Sequence, residues 1–458
     1  MLDWNADLIS RFDETGPRYT SYPPANHFHE EVGPGDLWKA IERGNQQQRP
    51  ISLYLHIPFC RHVCFYCACH RVVTADTHKV NQYVQDMKHE IQRLSLAVDN
   101  QRPVVQMHWG GGTPTYLDDA DIADLMTWLA QHFNIQDSAD HDYAIEVDPR
   151  TVTPDRLAFL RHVGFNRISF GVQDLEPDVQ VAINRVQSPS MIRSVMEGAR
   201  RAGFKTINVD LIYGLPRQTA ATLSTTLETV LEMSPDRVAL YNYAHLPERF
   251  KMQRLITTSD LPAAAEKLRM LTLAGKKLEQ AGNQYIGMDH FARQDDCLAL
   301  AQQSQRLQRN FQGYSTHGDA DILGIGASAI SQIGDLYAQN HKALGDWSAH
   351  VRAGDTPIER GYLLNRDDLI RRDVIMALLC HLQLDLVAFR QRWQIEFSHY
   401  FNDVMGTLQQ WQALELLTIN SDWLRITDKG RLVVRALVMA FDNVSHTARQ
   451  NSSYSRIL

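Results

Sequence analysis

Ile51-Ser52-Leu53-Tyr54-Leu55-His56-Ile57-Pro58-Phe59-Cys60-Arg61-His62-Val63-Cys64-Phe65-Tyr66-Cys67-Ala68-Cys69 joins an apolar, aromatic run of strand length to four of the chain's six cysteines. The run predicts a strand over 51–57, closed by Pro58. Cys60-x-x-x-Cys64-x-x-Cys67 follows in the loop at its carboxyl end. Three thiolates this close in sequence can bind three irons of a 4Fe-4S cluster and leave the fourth iron open to an outside ligand. Zinc is the rival metal, and a Cys3His site would recruit His62 or His70. Cys69, two residues beyond Cys67, is an awkward fourth ligand for the same cluster. A disulfide framework would spread its bridges over a small secreted chain, whereas here only Cys297 and Cys380 lie elsewhere.

Working outward, the strand is the first of six. Residues 51–57, 104–109, 143–147, 167–170, 206–212 and 237–241 read as strands. Helical patterns follow them over 78–97, 118–133, 154–163, 188–202, 218–232 and 262–281. Thr153-Pro154 sets an N-cap before a first-turn proline, and Gly164, Gly203 and Gly282 stand where helices stop. Such alternation builds a parallel sheet. Six units fall short of a closed barrel's eight, which predicts an α/β fold with a partial (β/α)6 barrel; a doubly wound sheet fits the same pattern.

Polar residues recur where these strands end, which is where such folds gather their chemistry. Gly110-Gly111-Gly112-Thr113-Pro114-Thr115 follows the second strand and lets backbone approach a small ligand. It lacks the Lys-Ser/Thr pair of a phosphate loop. Glu146 and Asp148 follow the third strand, Gln173 the fourth, Asp210 lies in the fifth, and Asn242 and His245 follow the sixth. Asp210 alone is either a satisfied core carboxylate or a ligand contact; together the set favours a cavity at one rim.

Two segments flank the repeat. Gly16-Pro17-Arg18-Tyr19-Thr20-Ser21-Tyr22-Pro23-Pro24 suits an extended arm, in which Arg18 either pairs with a ligand carboxylate or anchors the arm. From about 365 the pattern is helical over 367–382, 384–393 and 399–416, then a strand at 423–427 and a helix at 431–441, the order of a winged-helix module. The expected domains are an arm over 1–50, a catalytic barrel with extension over 51–364 and a mainly helical domain over 365–458. With 46 basic against 53 acidic residues the net charge is −7, which favours a packing or lid role for that last domain over DNA binding. The acidic start Asp3-Trp4-Asn5-Ala6-Asp7 and the lack of a long apolar run predict a cytoplasmic protein with no membrane or nucleic-acid partner.

His56-Ile57-Pro58-Phe59-Cys60, Cys67-x-Cys69, Gly110 to Thr115, Ile145-Glu146-Val147-Asp148-Pro149, Gly171-Val172-Gln173-Asp174, Asp210-Leu211-Ile212-Tyr213-Gly214-Leu215-Pro216 and Gly287-Met288-Asp289-His290-Phe291 resemble a known set. They are similar to the radical S-adenosylmethionine superfamily and, within it, to the oxygen-independent coproporphyrinogen III oxidases, over nearly the whole chain. The resemblance implies oxidative decarboxylation of two propionates of coproporphyrinogen III to vinyls, giving protoporphyrinogen IX in haem synthesis. It implies one 4Fe-4S cluster on Cys60, Cys64 and Cys67, with two S-adenosylmethionine molecules consumed per turnover and two bound. An electron from a reductant such as flavodoxin or ferredoxin would pass through the cluster, and the resulting 5′-deoxyadenosyl radical would take hydrogen from the propionate β-carbon.

By the same resemblance Tyr54, Gly111, Glu146 and Ile330 hold the cluster-bound S-adenosylmethionine. Tyr66, Gly112, Thr113, Gln173, Arg185, Asp210 and Ala244 hold the second. Cys69, Tyr54, His56 and Glu146 are the expected catalytic residues, and the enzyme is expected to be a monomer. Phe65-Tyr66 and Ala68-Cys69-His70 stand where the best-known relatives have Tyr-Phe and Gly-Cys-Asn. Haem-binding chaperones of the superfamily share the cluster loop and are the alternative, but they typically lack the Cys69-type thiol and the Gly16 to Pro23 arm.

Overall fold

The computed structural model describes residues 1–136 and 141–448. The six expected strands are present as β1 (Ile51–Ile57), β2 (Pro103–Gly111), β3 (Asp142–Val147), β4 (Arg167–Gln173), β5 (Thr206–Tyr213) and β6 (Arg237–Asn242). They lie side by side in chain order and every adjacent pair is parallel. A doubly wound sheet reverses its order at a switch point, and β1 to β6 never do. Right-handed crossovers therefore carry the helices to one face, and the sheet curls away from them into a partial barrel. Those helices are Thr77–Ala97, Asp119–His132, Pro154–His162, Pro189–Ala202, Ala220–Glu232 and Ala264–Gln280. Thr153 caps its helix through the Arg156 N–H, and Gly164, Gly203 and Gly282 all take positive φ at helix ends.

The strands alternate apolar and polar residues because their two faces meet different surroundings. Leu53, Leu55, Met107, Trp109, Ile145, Phe170, Val209 and Leu211 are buried in the main core under the helices. Gln106, His108, Glu146, Ser169, Asn208 and Asp210 line the barrel interior. At its amino-terminal end Arg167 pairs with Asp142 at 2.7 Å and Arg237 with Asp296 at 3.0 Å, and both guanidinia reach Cys297 Sγ, at 3.2 and 3.1 Å. This salt-bridged floor leaves the opposite, carboxyl rim as the polar entrance.

The sheet continues beyond both edges. Asp321–Ile325 adds in parallel to β1, followed antiparallel by Ile330–Ile333, Leu336–Asn340 and Ile358–Leu363; His290–Arg293 and Asn283–Gly287 extend it past β6. Where strand 321–325 joins β1, Arg49 Nε and Arg102 Nη2 donate to the two oxygens of the buried Asp321 at 2.9 and 2.6 Å. Removing the carboxylate would leave Arg102 buried without a counter-charge. Asp321→Ala is expected to lower the free energy of unfolding by about 3–5 kcal/mol in urea titrations. A loss below about 1 kcal/mol would show that water takes over the pairing.

The amino-terminal segment departs from a uniformly extended arm. Ala6–Arg11 and Pro34–Gln46 are helices, the latter burying Leu37, Ala40, Ile41 and Gly44 at helical spacing. Gly33, Pro34 and Gly35 mask that spacing in the sequence, yet Pro34 suits a first turn and the Gly33 N–H donates to Asp36 at 3.0 Å. Residues 16–24 contain no helix and are clasped by the C-terminal region. Tyr19 OH donates to Asp442 at 2.8 Å, and Arg435 donates to the Pro17 and Gly16 carbonyls.

From Arg366 the chain forms helices Arg366–His381, Leu386–Trp393, Phe397–Tyr400 and Asn402–Ala413. Trp423–Ile426 is the middle strand of a three-stranded antiparallel sheet with Gln383–Asp385 and Leu417–Ile419. The expected helix at 431–441 is shorter, as Asp428–Arg431, Val434–Val438 and a 3-10 turn at Met439–Phe441. These elements share a core with Ile286, Met288 and Tyr19, which ties them to the barrel extension and the arm. The end of the expected 365–458 domain lies outside the described residues. Among those, no helix is long and apolar enough to cross a membrane.

Candidate active site

β1 ends at Ile57, and the thiol loop turns over the barrel rim directly after it. Phe59–Cys60 runs beside Val72–Val73, so the loop leaves and returns along one short ladder. The glycine segment is stitched to the loop, since Gly112 N donates to Ile57 O at 2.8 Å and Thr113 N to Phe59 O at 2.9 Å. Crowding explains the glycines as much as ligand approach does. A Cβ on Gly111, at φ +110°, would meet the His56 ring at 2.5 Å, and one on Gly112 would meet the Pro58 backbone at 2.6 Å.

Cys60 and Cys64 are buried, Cys67 is half-buried and Cys69 is exposed. Three guanidinia surround them. Arg185 Nη1 and Arg150 Nη2 lie 3.4 and 3.7 Å from Cys64 Sγ, while Arg71 donates to the Cys64 and Cys67 carbonyls. A hydrogen bond from the Cys69 thiol, opposed by burial and joined by the Arg71 charge, holds Cys67 below the ordinary thiol range; the same contact pushes Cys69 up. Burial pushes the Cys60 thiol up, partly countered by Thr113 Oγ1 at 3.5 Å.

Beneath the loop, on the inward face, Tyr54 OH donates to His56 Nδ1 at 3.2 Å, and His56 Nε2 is 3.1 Å from the His70 carbonyl. Burial, reinforced by His70, holds His56 down to about 4, which keeps the ring neutral. His108, two residues before Gly110 and so in the same inward phase, stacks on Tyr54 and contacts Glu146 at 3.0 Å. Glu146 also accepts the Gly111 N–H at 3.2 Å. Burial opposes its ionisation, but these two contacts prevail and hold it below the ordinary carboxylate range. Ile330 closes this side, because Gly324 pairs with Tyr54 and a Cβ there would meet the Ile330 backbone at 2.7 Å.

The other expected residues surround β4 to β6. A register shift between Gly171 and Gln173, with Gln173 at φ 69°, redirects the end of β4. Arg185 donates to the Gly171 carbonyl at 2.5 Å and pairs with Asp148 at 3.2 Å, and Arg150 holds the same carboxylate at 2.7 Å. Tyr66 packs against the cluster of Val179, Ile183, Leu215 and Tyr243. Gln253, which no sequence motif indicated, donates to the carbonyls of Tyr66 at 3.0 Å and Ala244 at 3.2 Å, tying the thiol loop to the segment after β6. Asn242 and His245 also fall at this rim; His245 contacts Tyr243 OH at 2.9 Å, and the buried Asn242 Oδ1 has no partner.

Asp210 faces a cavity of about 150 Å³ inside the barrel and accepts from Ser169 OH and Asn208 Nδ2, both at 2.8 Å. Burial raises it to about 6, against the Ser169 bond and with help from Glu146. Below pH 4 folded and unfolded forms are both protonated; between about 4 and 6 only the unfolded form has lost its proton, so stability falls as pH rises. Asp210→Asn is expected to stabilise the ligand-free protein by about 1–2 kcal/mol at pH 7, discounted for partial exposure, and by little at pH 4. Unfolding curves at the two pH values check this; an equal gain at both would contradict it. A wider depression of about 450 Å³ at the amino-terminal rim is remote from the thiols, and its Arg200 and Arg293 are paired with Asp236 and Asp295.

A three-thiol loop after the first strand of a partial barrel, sealed by a glycine turn, defines a radical S-adenosylmethionine protein. The Radical SAM superfamily model matches residues 54–230, and the HemN C-terminal domain model matches 364–433. An oxygen-independent coproporphyrinogen III oxidase of Pseudomonas aeruginosa is 46% identical over 96% of this chain and 97% of its own. Its Escherichia coli K12 counterpart is 44% identical over 100% and 99%. The solved structure of the Escherichia coli coproporphyrinogen III oxidase HemN, described as a radical SAM enzyme, superposes with a TM-score of 0.92 at 44% identity, covering 96% of this chain and 99% of that one. The chain belongs to the family of oxygen-independent coproporphyrinogen III oxidases.

The superfamily implies a 4Fe-4S cluster and S-adenosylmethionine, and the loop fits both. Its donors are soft thiols held among guanidinia, and Arg71 Nε, Arg185 Nε and His70 Nδ1 are buried there without a partner. Among the described residues no three His, Cys, Asp or Glu side chains converge closely enough for a single metal ion.

Proposed function

We propose that this chain oxidatively decarboxylates two propionates of coproporphyrinogen III to vinyls, giving protoporphyrinogen IX, with Cys60, Cys64 and Cys67 as cluster ligands. The observation that carries it is the joining of that loop to Glu146, His108 and the glycine segment at one barrel rim, in a chain similar to named oxidases end to end. When bound, the reduced cluster and S-adenosylmethionine would supply radical chemistry able to remove hydrogen from a propionate β-carbon, with carbon dioxide as the leaving group and a one-electron acceptor taking the remaining electron as the vinyl forms.

The protein's part is binding, orientation and exclusion of water. Glu146, kept ionised by His108 and Gly111, suits the sulfonium ligand's ammonium group, and Tyr54 and Ile330 wall the same side. Tyr66, Gly112, Thr113, Gln173, Arg185, Asp210 and Ala244 line the site of a second S-adenosylmethionine, which Gln253 braces by fixing two of their carbonyls. His56, a neutral ring between Tyr54 and His70, orients the Tyr54 hydroxyl. Cys69 handles substrate or protons from the exposed end of the loop. An external reductant such as flavodoxin or ferredoxin supplies electrons to a monomeric, cytoplasmic enzyme. The full-length oxidase relatives support this reading over haem delivery.

Anaerobic incubation of reconstituted protein with dithionite, S-adenosylmethionine and coproporphyrinogen III tests it. Two 5′-deoxyadenosines per protoporphyrinogen IX are expected. Haem binding without vinyl products would reject the enzyme reading.

A further inference from the structure

The Gly287-Met288-Asp289-His290-Phe291 turn has no part in the chemistry above. Its first three residues take positive φ, at 136°, 45° and 78°, and such backbone is strained at Met288 and Asp289. The turn directs two side chains inward. Asp289 pairs with Arg18 at 3.1 Å. His290 stands edge-on between Tyr241 and Tyr314, with ring centroids 5.8 and 5.3 Å away, and all three line the barrel cavity. His290 Nδ1 is 2.9 Å from the Met288 carbonyl, so the ring donates there and keeps Nε2 as an acceptor. Burial, with the Arg309 charge, holds this imidazole down to about 4.

Guanidinia flank both ends of this aromatic row, Arg18 at 6.0 Å from the Tyr241 centroid and Arg309 at 4.8 Å from that of Tyr314. They differ in one respect. Arg18 already has a carboxylate, whereas Arg309 is 9% exposed and its Nε and Nη1 are buried without a partner. The Tyr314 hydroxyl and Gln312 Oε1 are buried and unpartnered as well. A buried cation without a counter-charge is unfavourable in the empty protein, and an arriving anion removes the imbalance.

We propose that Tyr241, His290 and Tyr314 form the wall against which the tetrapyrrole lies, and that Arg309 receives one of its propionate carboxylates. The assignment rests on the substrate proposed above. Pyrrole faces match the rings, a pyrrole N–H matches the imidazole acceptor, and a carboxylate matches an unpaired guanidinium fork.

The test uses the full chain with its reconstituted cluster. Arg309→Gln is expected to raise the KM for coproporphyrinogen III at least tenfold while kcat falls less than threefold, with Arg309→Lys recovering part of the loss. The Tm rise that coproporphyrin III gives the wild type should vanish in Arg309→Gln, whose ligand-free Tm should be no lower than wild type. An unchanged KM, or a lower ligand-free Tm with an unchanged ligand-induced rise, overturns the proposal. Should Arg309→Gln fail to fold, wild-type affinities for coproporphyrin III and its tetramethyl ester decide, and equal affinities overturn it. Failure of the wild type to convert coproporphyrinogen III would instead defeat the substrate assignment itself.

Discussion

Cys60→Ser, Cys64→Ser and Cys67→Ser are each expected to yield protein without the broad visible absorbance of an iron–sulfur cluster and without detectable vinyl formation. A serine oxygen is a harder, far less acidic donor than a thiol, and a cluster held on three cysteines has no spare one. The loop itself should survive, because its shape rests on backbone bonds such as Gly112 N to Ile57 O and on Arg71 to the Cys64 and Cys67 carbonyls. Iron content and circular dichroism on anaerobically purified variants check both halves. Retention of a full cluster in any of the three, or stoichiometric zinc in place of iron, would contradict the ligand assignment.

Cys69→Ser separates a ligand from a working thiol. Cys69 is exposed beyond the buried Cys60 and Cys64 and hydrogen-bonds to Cys67. The variant is expected to keep wild-type iron content and absorbance while product formation falls at least about a hundredfold, the scale of losing a positioned proton-transfer group. Iron loss matching the other three variants would make Cys69 a ligand, and full activity would make it a bystander.

The barrel was legible because its strands obey a simple rule. Apolar runs such as Leu53 to Ile57 announce strands, the following amphipathic stretches announce helices, and Thr153 or Gly203 mark their ends. The thiol loop was legible because its cysteines, Cys60, Cys64, Cys67 and Cys69, are close in sequence. What stayed hidden depends on distant pairs. Gln253 braces the rim by reaching Tyr66, 187 positions away, and Asp321 locks β1 through Arg102, 219 positions away. The antiparallel extension, with Ile330–Ile333 four residues long, is too short for periodicity to register. His108 shows the intermediate case, since its inward phase on β2 was readable but its partners Glu146 and Tyr54 were not.

The central claim is that the thiol loop serves a radical reaction at the propionate β-carbon. Coproporphyrinogen III deuterated at its propionate β-positions, turned over anaerobically with S-adenosylmethionine and dithionite, tests it most directly. Deuterium should appear in 5′-deoxyadenosine, one atom for each vinyl formed. Vinyl products alongside unlabelled 5′-deoxyadenosine, or label released only to water, would contradict it.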